Sequence, residues 1–424
     1  MLFSLDVLRA RKGDCLLLHY GSKKRPRLMI IDGGPSTVYG KHLRPRLQQI
    51  RKARCLDEND SLRVDVLMVS HIDDDHIKGI LDLTRKLRDQ ADAQQPRLIK
   101  VGSLWHNTFD DLLHTTPEEL MGPANFGAAA IGGTVDLPET GAEEEIFDTA
   151  KVLASVSQGR DLRDDAGVLG WKVNKEFGGK LIVATDASEA VPLDAGLRIT
   201  VVGPMQAELK KLQKEHDKWL QKQEEKRRSK EELAALLAAY ADRSAPNLSS
   251  LVFLLEADGK RLLLTGDARG DKILKGLKTA GFLTGAASSL HVDILKVPHH
   301  GSQNNMEKKF FEKVTADHYV FSGDGEHGNP ERETLEMLLD ARGDAPFTLH
   351  FTYPLEEIDA ERKGEHNKKA AAGNKWSKGK HSLVGLFEQR PLQAKQQIRI
   401  VGPKGGHVID LADPLKQAWP GLVA

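Results

Sequence analysis

Short apolar runs of strand length come in two blocks along this chain, and that recurrence limits the fold more than any other feature of the sequence. The first block holds "LFSLDVL", "CLLLHY", "RLMIID" and "VDVLMVS", punctuated at "GDC" and "DGGP". A stretch with helical spacing, "GILDLTRKLRDQ", follows, and "RLIKVGSLW" returns to strand. After a long interval "GLRITVVGP" resumes the pattern. "SLVFLLEADGKRLLLTGDA" then reads as two strands joined across "ADGK", "VDILKVPHHGS" as a strand entering a turn, and "DHYVFSGDG" as another strand and loop. Strand-rich and helix-rich stretches that occur twice in one chain predict two β-layers covered by helices, an αββα sandwich of the α/β class.

At 424 residues the chain exceeds what one core usually organises. The expected division is a domain over 1–345, interrupted by an insertion at 107–245, and a C-terminal extension over 346–424. Within the insertion, 107–195 is rich in Gly, Ala and Pro and reads as cover over a cleft. Over 205–240, Met205, Leu209, Leu212 and Trp219 step at coiled-coil spacing among charges of both signs. Helices are expected there, as a solvated face or as a surface for a protein partner or nucleic acid. The basic segment 361–381, around Trp376, is expected as a surface loop or as a grip on a nucleic-acid strand by charge and stacking.

Lys plus Arg and Asp plus Glu both total 61, which excludes a chain basic enough throughout to coat DNA. Charge appears within six residues of the N-terminus and no apolar run reaches the length of a membrane span, so a cytoplasmic protein without a membrane partner is expected. Sixteen histidines against two cysteines, Cys15 and Cys55, point any metal site toward nitrogen and oxygen ligands.

Three strand ends deliver residues of that kind. The run "HIDDDH" after "VDVLMVS" holds His71, Asp73, Asp75 and His76, and their alternation lets one turn present two ligand groups. The plain alternative is that Asp73, Asp74 and Asp75 cap the following helix and meet its dipole, with the histidines solvated. "LLLTGDA" ends at Asp267 and "ILKVPHHGS" at His299 and His300, with Gly301 permitting a sharp turn. That recurrence favours a metal site.

Taken in order, "GDCLLLHY…LMIIDGG", the H-x-D-x-D-H run, "NLSSLVFLLEADGKRLLLTGDA", "KVPHHGS" and, more loosely, "SGDGEHGNP" span residues 1–330. This series resembles the metallo-β-lactamase fold hydrolases, in the branch that includes the soluble hydrolase domain of competence DNA-uptake channels and the pneumococcal phosphorylcholine esterase. The resemblance implies two divalent metals per chain, zinc or manganese. It puts His71 and Asp73 on one metal and Asp75 and His76 on the other, with Asp267 bridging and one histidine of the His299/His300 pair completing the second site. His300 is favoured as that ligand, leaving His299 to contact substrate or orient its neighbour, and the reverse stays open. Asp32 in "IIDGG" resembles a position that supports the metal loop from behind.

This sequence departs from the family pattern in three places. The usual histidine between the first motif and Asp267 is not evident: "APNLSSLV" offers Asn247, Ser249 and Ser250, and His106 is a remote substitute, so the first site is a ligand short. Lys78 stands where relatives often carry glycine; it is expected either solvated in the first helical turn or turned inward to bind a phosphate oxygen. His327 in "EHGNP" lies off the spacing of the related "GHP" pattern and is kept as a proton donor or substrate contact.

Catalytic roles are therefore expected for Asp75, His299, Lys78 and His327 around a metal-activated hydroxide, the reaction being phosphodiester hydrolysis. DNA or RNA is the leading substrate, since the resembling branch acts on phosphodiesters. A small phosphodiester or ester is the alternative, and a non-catalytic metal-binding interaction module is the alternative of another class.

Overall fold

The structure, a computed structural model, describes residues 1–107, 158–185, 189–206, 209, 250–369 and 375–422. Nearly all of the charged 205–240 stretch, much of the 107–195 cover, Asn247 and Ser249 lie outside the described residues.

Neighbouring residues of one strand join different apolar layers, as a sheet covered on both faces requires. Leu16 and Leu18 belong to one cluster and Leu17 to another, while Phe253 and Leu255 share the first of these and Leu254 enters a third. The strands that carry this alternation form two sheets among the described residues. The first contains β1 (Leu2–Val7), β2 (Leu16–Gly21), β3 (Pro26–Ile31), β4 (Leu62–Met68), β5 (Ile99–Trp105) and β6 (Lys172–Val173). The second contains β7 (Val191–Pro192), β8 (Arg198–Gly203), β9 (Val252–Ala257), β10 (Lys260–Leu264), β11 (Leu290–Lys296), β12 (Val314–Phe321), β13 (Phe347–Phe351) and β14 (Gln396–Ile400). A last strand, β15 (His407–Asp410), returns to the first sheet beside β1. The spatial orders are β15-β1-β2-β3-β4-β5-β6 and β14-β13-β12-β11-β10-β9-β8-β7.

Between the sheets lie Phe3, Leu18, Met68, Phe253, Leu264 and Val320. The outer face of the first sheet is covered by α1 (Arg44–Ala53) and α2 (Asp74–Asp92), through Leu47, Ile50, Ile77, Ile80 and Leu83. On the outer face of the second sheet lie α3 (Gly270–Thr279), α4 (Lys308–Lys313), α5 (Arg332–Arg342) and α7 (Leu383–Gln389), with α6 (Leu355–Lys369) contributing Ile358. Helix, sheet, sheet, helix is the αββα order expected from the sequence. The hairpin across "ADGK" forms as read, with Leu255 opposite Leu262.

Residues 346–424, read from the sequence as an extension, supply β13 and β14 to one sheet and β15 to the other. The Trp376 ring also has neighbours of its own. Arg362 lies over the Trp376 ring at 5.6 Å, and the rings of His366 and His381 flank it at 5.6 and 5.2 Å, so the indole is packed among its own neighbours.

What this arrangement does for function is set by strand direction. β3, β4 and β5 run parallel, as do β10 through β14. The carboxyl ends of these strands release the segments that carry Asp32, His71–His76, Asp267, His299–His300 and Ser322, the edge of an α/β sheet where ligands commonly sit.

Candidate metal centre

The loop leaving β4 enters α2 at Asp73, and Asp74 and Asp75 occupy the first helical turn, where negative charge meets the positive end of the dipole. The helix-start and metal readings of "HIDDDH" thus draw on the same residues. Two close backbone approaches fix this turn. A Cβ on Gly13 would lie 1.8 Å from the carbonyl oxygen of Asp75, and one on Gly79 would lie 1.9 Å from that of Gly33. Only glycine lets the "KGDC" and "IDGG" segments press so closely on α2.

Proton ownership around the histidines follows from their partners. Asp32, 1% exposed, accepts from the Ser70 backbone N–H at 2.7 Å, from the Ser70 hydroxyl at 2.7 Å and from His76 Nδ1 at 2.8 Å. A carboxylate only accepts, so His76 carries its proton on Nδ1. Because the Ser70 proton goes to Asp32, Ser70 Oγ can only accept from His71 Nδ1, 3.1 Å away. Ser250 Oγ lies 3.3 Å from the same nitrogen and accepts the Asp267 backbone N–H at 3.0 Å. On the opposite wall His300 Nδ1 is 3.3 Å from Ser322 Oγ, whose own proton is donated to Asp14. In the neutral form of each of the three rings Nδ1 holds the proton and Nε2 is left with a lone pair.

Those lone pairs converge on carboxylates. His76 Nε2 lies 3.2 Å from His300 Nε2 and 3.3 Å from Asp267 Oδ1; His300 Nε2 lies 3.4 Å from the same oxygen and 3.7 Å from Asp75 Oδ2. Donors held by bonds of about 2.0–2.2 Å around a tetrahedral ion are separated by about 3.3–3.6 Å, so His76 Nε2, His300 Nε2 and Asp267 Oδ1 have close to the spacing of a coordination shell, with Asp75 beside them. The other oxygen of Asp267, Oδ2, faces His71 Nε2 and His299 Nε2, each at 3.6 Å, and Asp73 Oδ2 lies 3.8 Å from His71 Nε2. His71 Nε2 is buried without a hydrogen-bond partner. Lone pairs gathered in this way repel one another unless a cation sits among them, so the residues fit a metal ion.

The electrostatics agree. Burial opposes charge on His76 and His300, but the Asp267 and Asp32 carboxylates outweigh it for His76, which is raised well above the usual range, and Asp267 and Asp14 raise His300 to about 9. Burial likewise opposes ionisation of Asp267, and His300, His76 and His299 overcome it, holding the carboxyl well below its usual range. His71 behaves differently: burial and the nearby His76 push it down to about 4, which keeps it neutral. A pocket that draws an extra proton onto two buried imidazoles is one in which a divalent cation is favourable.

Of the residues expected from sequence, His71, Asp73, Asp75, His76, Asp267 and His300 come together, with Asp32 behind His76. His299 lies on the more open side, 27% exposed, beside Asp267. Both histidines of the pair adopt left-handed backbone, φ 46° and 53°, a conformation held only where the surrounding turn enforces it. Lys78 is not turned inward: its Nζ pairs with Asp74 at 2.8 Å across one helical turn, 37% exposed. His327 Nε2 meets Lys12 Nζ at 3.1 Å, and that lysine also binds Glu326 at 2.8 Å. His106 belongs to neither group of converging donors found among the described residues. Asp14, Ser70, Lys296 and Ser322 were not read from the sequence as parts of the site. A cavity of about 350 Å³ opens beside the 299–303 turn, lined by Gln303, His327, Glu331, Arg362, His366 and Trp376, among others.

No family model matches the chain. Over 101 residues, 24% of this chain and 4% of the relative, it is 33% identical to microtubule-associated protein 1A of Rattus norvegicus. Over 75 residues, 16% of this chain and 3% of the relative, it is 33% identical to microtubule-associated protein 1A of Mus musculus. The chain thus spans a small fraction of the length of the curated relatives it matches. Among solved structures, that of a "Putative metal-dependent hydrolase" from Parabacteroides distasonis aligns with 82% of this chain and 98% of its own, at 11% identity and a TM-score of 0.31. The chemistry open to the site has to be judged from its own side chains.

Proposed function

We propose that this chain is a metal-dependent hydrolase of phosphodiesters. The observation that carries the reading is the meeting of three Nε2 lone pairs with the carboxylates of Asp75, Asp267 and Asp73. Asp75, His76, Asp267 Oδ1 and His300 would hold one ion, and His71, Asp73 and Asp267 Oδ2 a second, with an oxygen-rich donor set suited to manganese as well as zinc. A divalent ion bound there supplies Lewis acidity, which polarises a substrate oxygen and brings the pKa of water to about 7.

The chain's own residues account for the rest of the scheme. Asp32 and Ser70 hold the rings of His71 and His76 with Nε2 inward. Lys12, next to the Gly13 that packs on Asp75, has its ammonium paired with Glu326 at 2.8 Å and against His327. His327, in contact with that lysine, is the proposed proton donor to a leaving oxygen, and His299 the proposed substrate contact. A nucleic-acid strand remains the proposed polymeric substrate, although Trp376 is clasped by Arg362 and offers little stacking surface. A second reading is a small phosphodiester: the cavity of about 350 Å³ at His327, the proposed proton donor, is of small-molecule size, although none of the proposed metal donors lines it.

The test is hydrolysis of bis(p-nitrophenyl) phosphate and of labelled single- and double-stranded DNA and RNA with Mn²⁺ or Zn²⁺. The wild type is compared with Asp75→Ala/His76→Ala, and the metal content of each is measured. Metal-dependent cleavage that falls by more than about 100-fold in the variant is expected. A folded, metal-loaded wild type that cleaves none of these substrates overturns phosphodiester hydrolysis, and a wild type that binds no metal overturns the hydrolase reading altogether.

A further inference from the structure

Lys296 is among the largest side chains buried to within 2% of full enclosure, and the scheme above gives it no role. Its ammonium contacts Asp14 Oδ2 at 2.8 Å and donates to the Val297 carbonyl at 3.0 Å. The other oxygen of Asp14 accepts the Ser322 hydroxyl, and Ser322 Oγ in turn faces His300 Nδ1 at 3.3 Å. A buried relay therefore runs from His300 through Ser322 and Asp14 to Lys296, drawing on the "GDC" loop, the end of β11 and the end of β12.

The carboxylate of Asp14 comes close enough to His76, Asp267 and His300 to be considered a metal donor itself. Its partners argue otherwise. One oxygen is committed to an ammonium and the other to a hydroxyl, and the group stands 3.6 Å from His300 Nδ1, the edge of the ring away from Asp267 and Asp75. The corresponding partner on the facing wall is Asp32, which holds His76 Nδ1 directly and has no cation against it among its hydrogen-bond partners. The two imidazoles that share Asp267 Oδ1 are thus backed differently, one by a bare carboxylate and one by a carboxylate neutralised by lysine.

Resting on the metal-centre reading, we infer that Asp14, Ser322 and Lys296 are positioning residues that fix the His300 tautomer and hold its Nε2 toward the ion. Lys296 lets a buried carboxylate orient His300 without handing it a full negative charge. Removal of an outer partner of a ligating histidine typically lowers metal affinity by about 10–100-fold.

The experiment measures Zn²⁺ affinity by competition with a chromophoric chelator and records the visible spectrum of the Co²⁺-loaded protein. Lys296→Met alone would leave Asp14 buried and unpaired and can fail to fold, so the informative variant is Asp14→Asn/Lys296→Met, which removes both charges. The control is Arg27→Met/Asp65→Asn, a largely buried ion pair between β3 and β4, 2.7 Å apart. The expected result is a 10–100-fold loss of Zn²⁺ affinity with an altered Co²⁺ spectrum in the first double variant, and wild-type values for both in the control. Affinity and spectrum unchanged in Asp14→Asn/Lys296→Met overturn the inference while leaving the metal centre standing. Equal losses in both double variants also overturn it, because the pair would then act only through general stability. A wild type that takes up neither ion removes the metal centre and this inference together.

Discussion

At the scale of single residues, the centre is decided by which nitrogen owns which proton. Ser70 gives its proton to Asp32 and so fixes His71, and Asp32 fixes His76 directly. Lys78 tests how far this machinery extends. Its pairing with Asp74 is a half-exposed contact between neighbouring helical turns, of a kind worth less than about 1 kcal/mol. Lys78→Ala should therefore change stability by less than about 0.5 kcal/mol and leave Zn²⁺ affinity and any hydrolytic rate within about twofold; a tenfold fall in either would mean that the ammonium does reach the site. The donors themselves were legible in the sequence because histidine and aspartate at a strand end are a local signal. Asp14 and Ser322 were not, since they lie 308 positions apart and acquire a joint role only when the strands align. The stretch that lacked the expected histidine supplies Ser250 instead, which binds His71 and the Asp267 backbone.

Between elements, the strands bring together a second group of histidines that no local pattern connects. His318 on β12, His350 on β13 and His407 on β15 form a chain, with His350 Nε2 3.0 Å from His318 Nδ1 and its Nδ1 2.8 Å from His407 Nε2. Spacing along any one strand cannot reveal it, because the third member comes from the other sheet. Burial first, then the neighbouring His407, His318 and Arg399, press the His350 pKa down to about 2. Its unfolded value is about 6.5. A histidine depressed in this way gives its full contribution to stability above pH 6.5. Below that, the unfolded chain takes up a proton that the folded chain refuses, and stability is lost progressively until the pH approaches 2. From this residue the expected slope is about 1.4 kcal/mol per pH unit. In urea unfolding at pH 7.5, 6.5 and 5.5 with chelator present, His350→Gln should start less stable and decline less steeply than wild type. Parallel declines would mean that His350 does not carry the acid sensitivity.

For the molecule as a whole, the two-block pattern was enough to anticipate two sheets and their helices, because alternation and apolar runs are written locally. It was not enough to place the end of the chain, where β15 is four residues long and carries little strand signal. That short strand pairs with β1 from Ser4 opposite Asp410 to Val7 opposite His407, and the Ser4 hydroxyl donates to Asp410 at 2.6 Å. Beyond it, Leu415, Trp419 and Leu422 enter the outer cluster of the first sheet, with Arg54 over the Trp419 ring at 5.1 Å. β1 leads through a short loop to Gly13 and Asp14, so whatever steadies β1 also steadies the back wall of the metal centre. A chain ending at residue 401 would leave β1 as an open sheet edge and uncover those apolar side chains. Each large side chain lost from such a cluster costs about 2–5 kcal/mol, and the melting temperature should fall by more than about 10 °C. Zn²⁺ affinity should fall with it, although no proposed ligand has been removed. If the shortened chain melts within about 2 °C of the full one and binds Zn²⁺ equally well, the tail is an appendage after all, and β1 must draw its order from β2 alone.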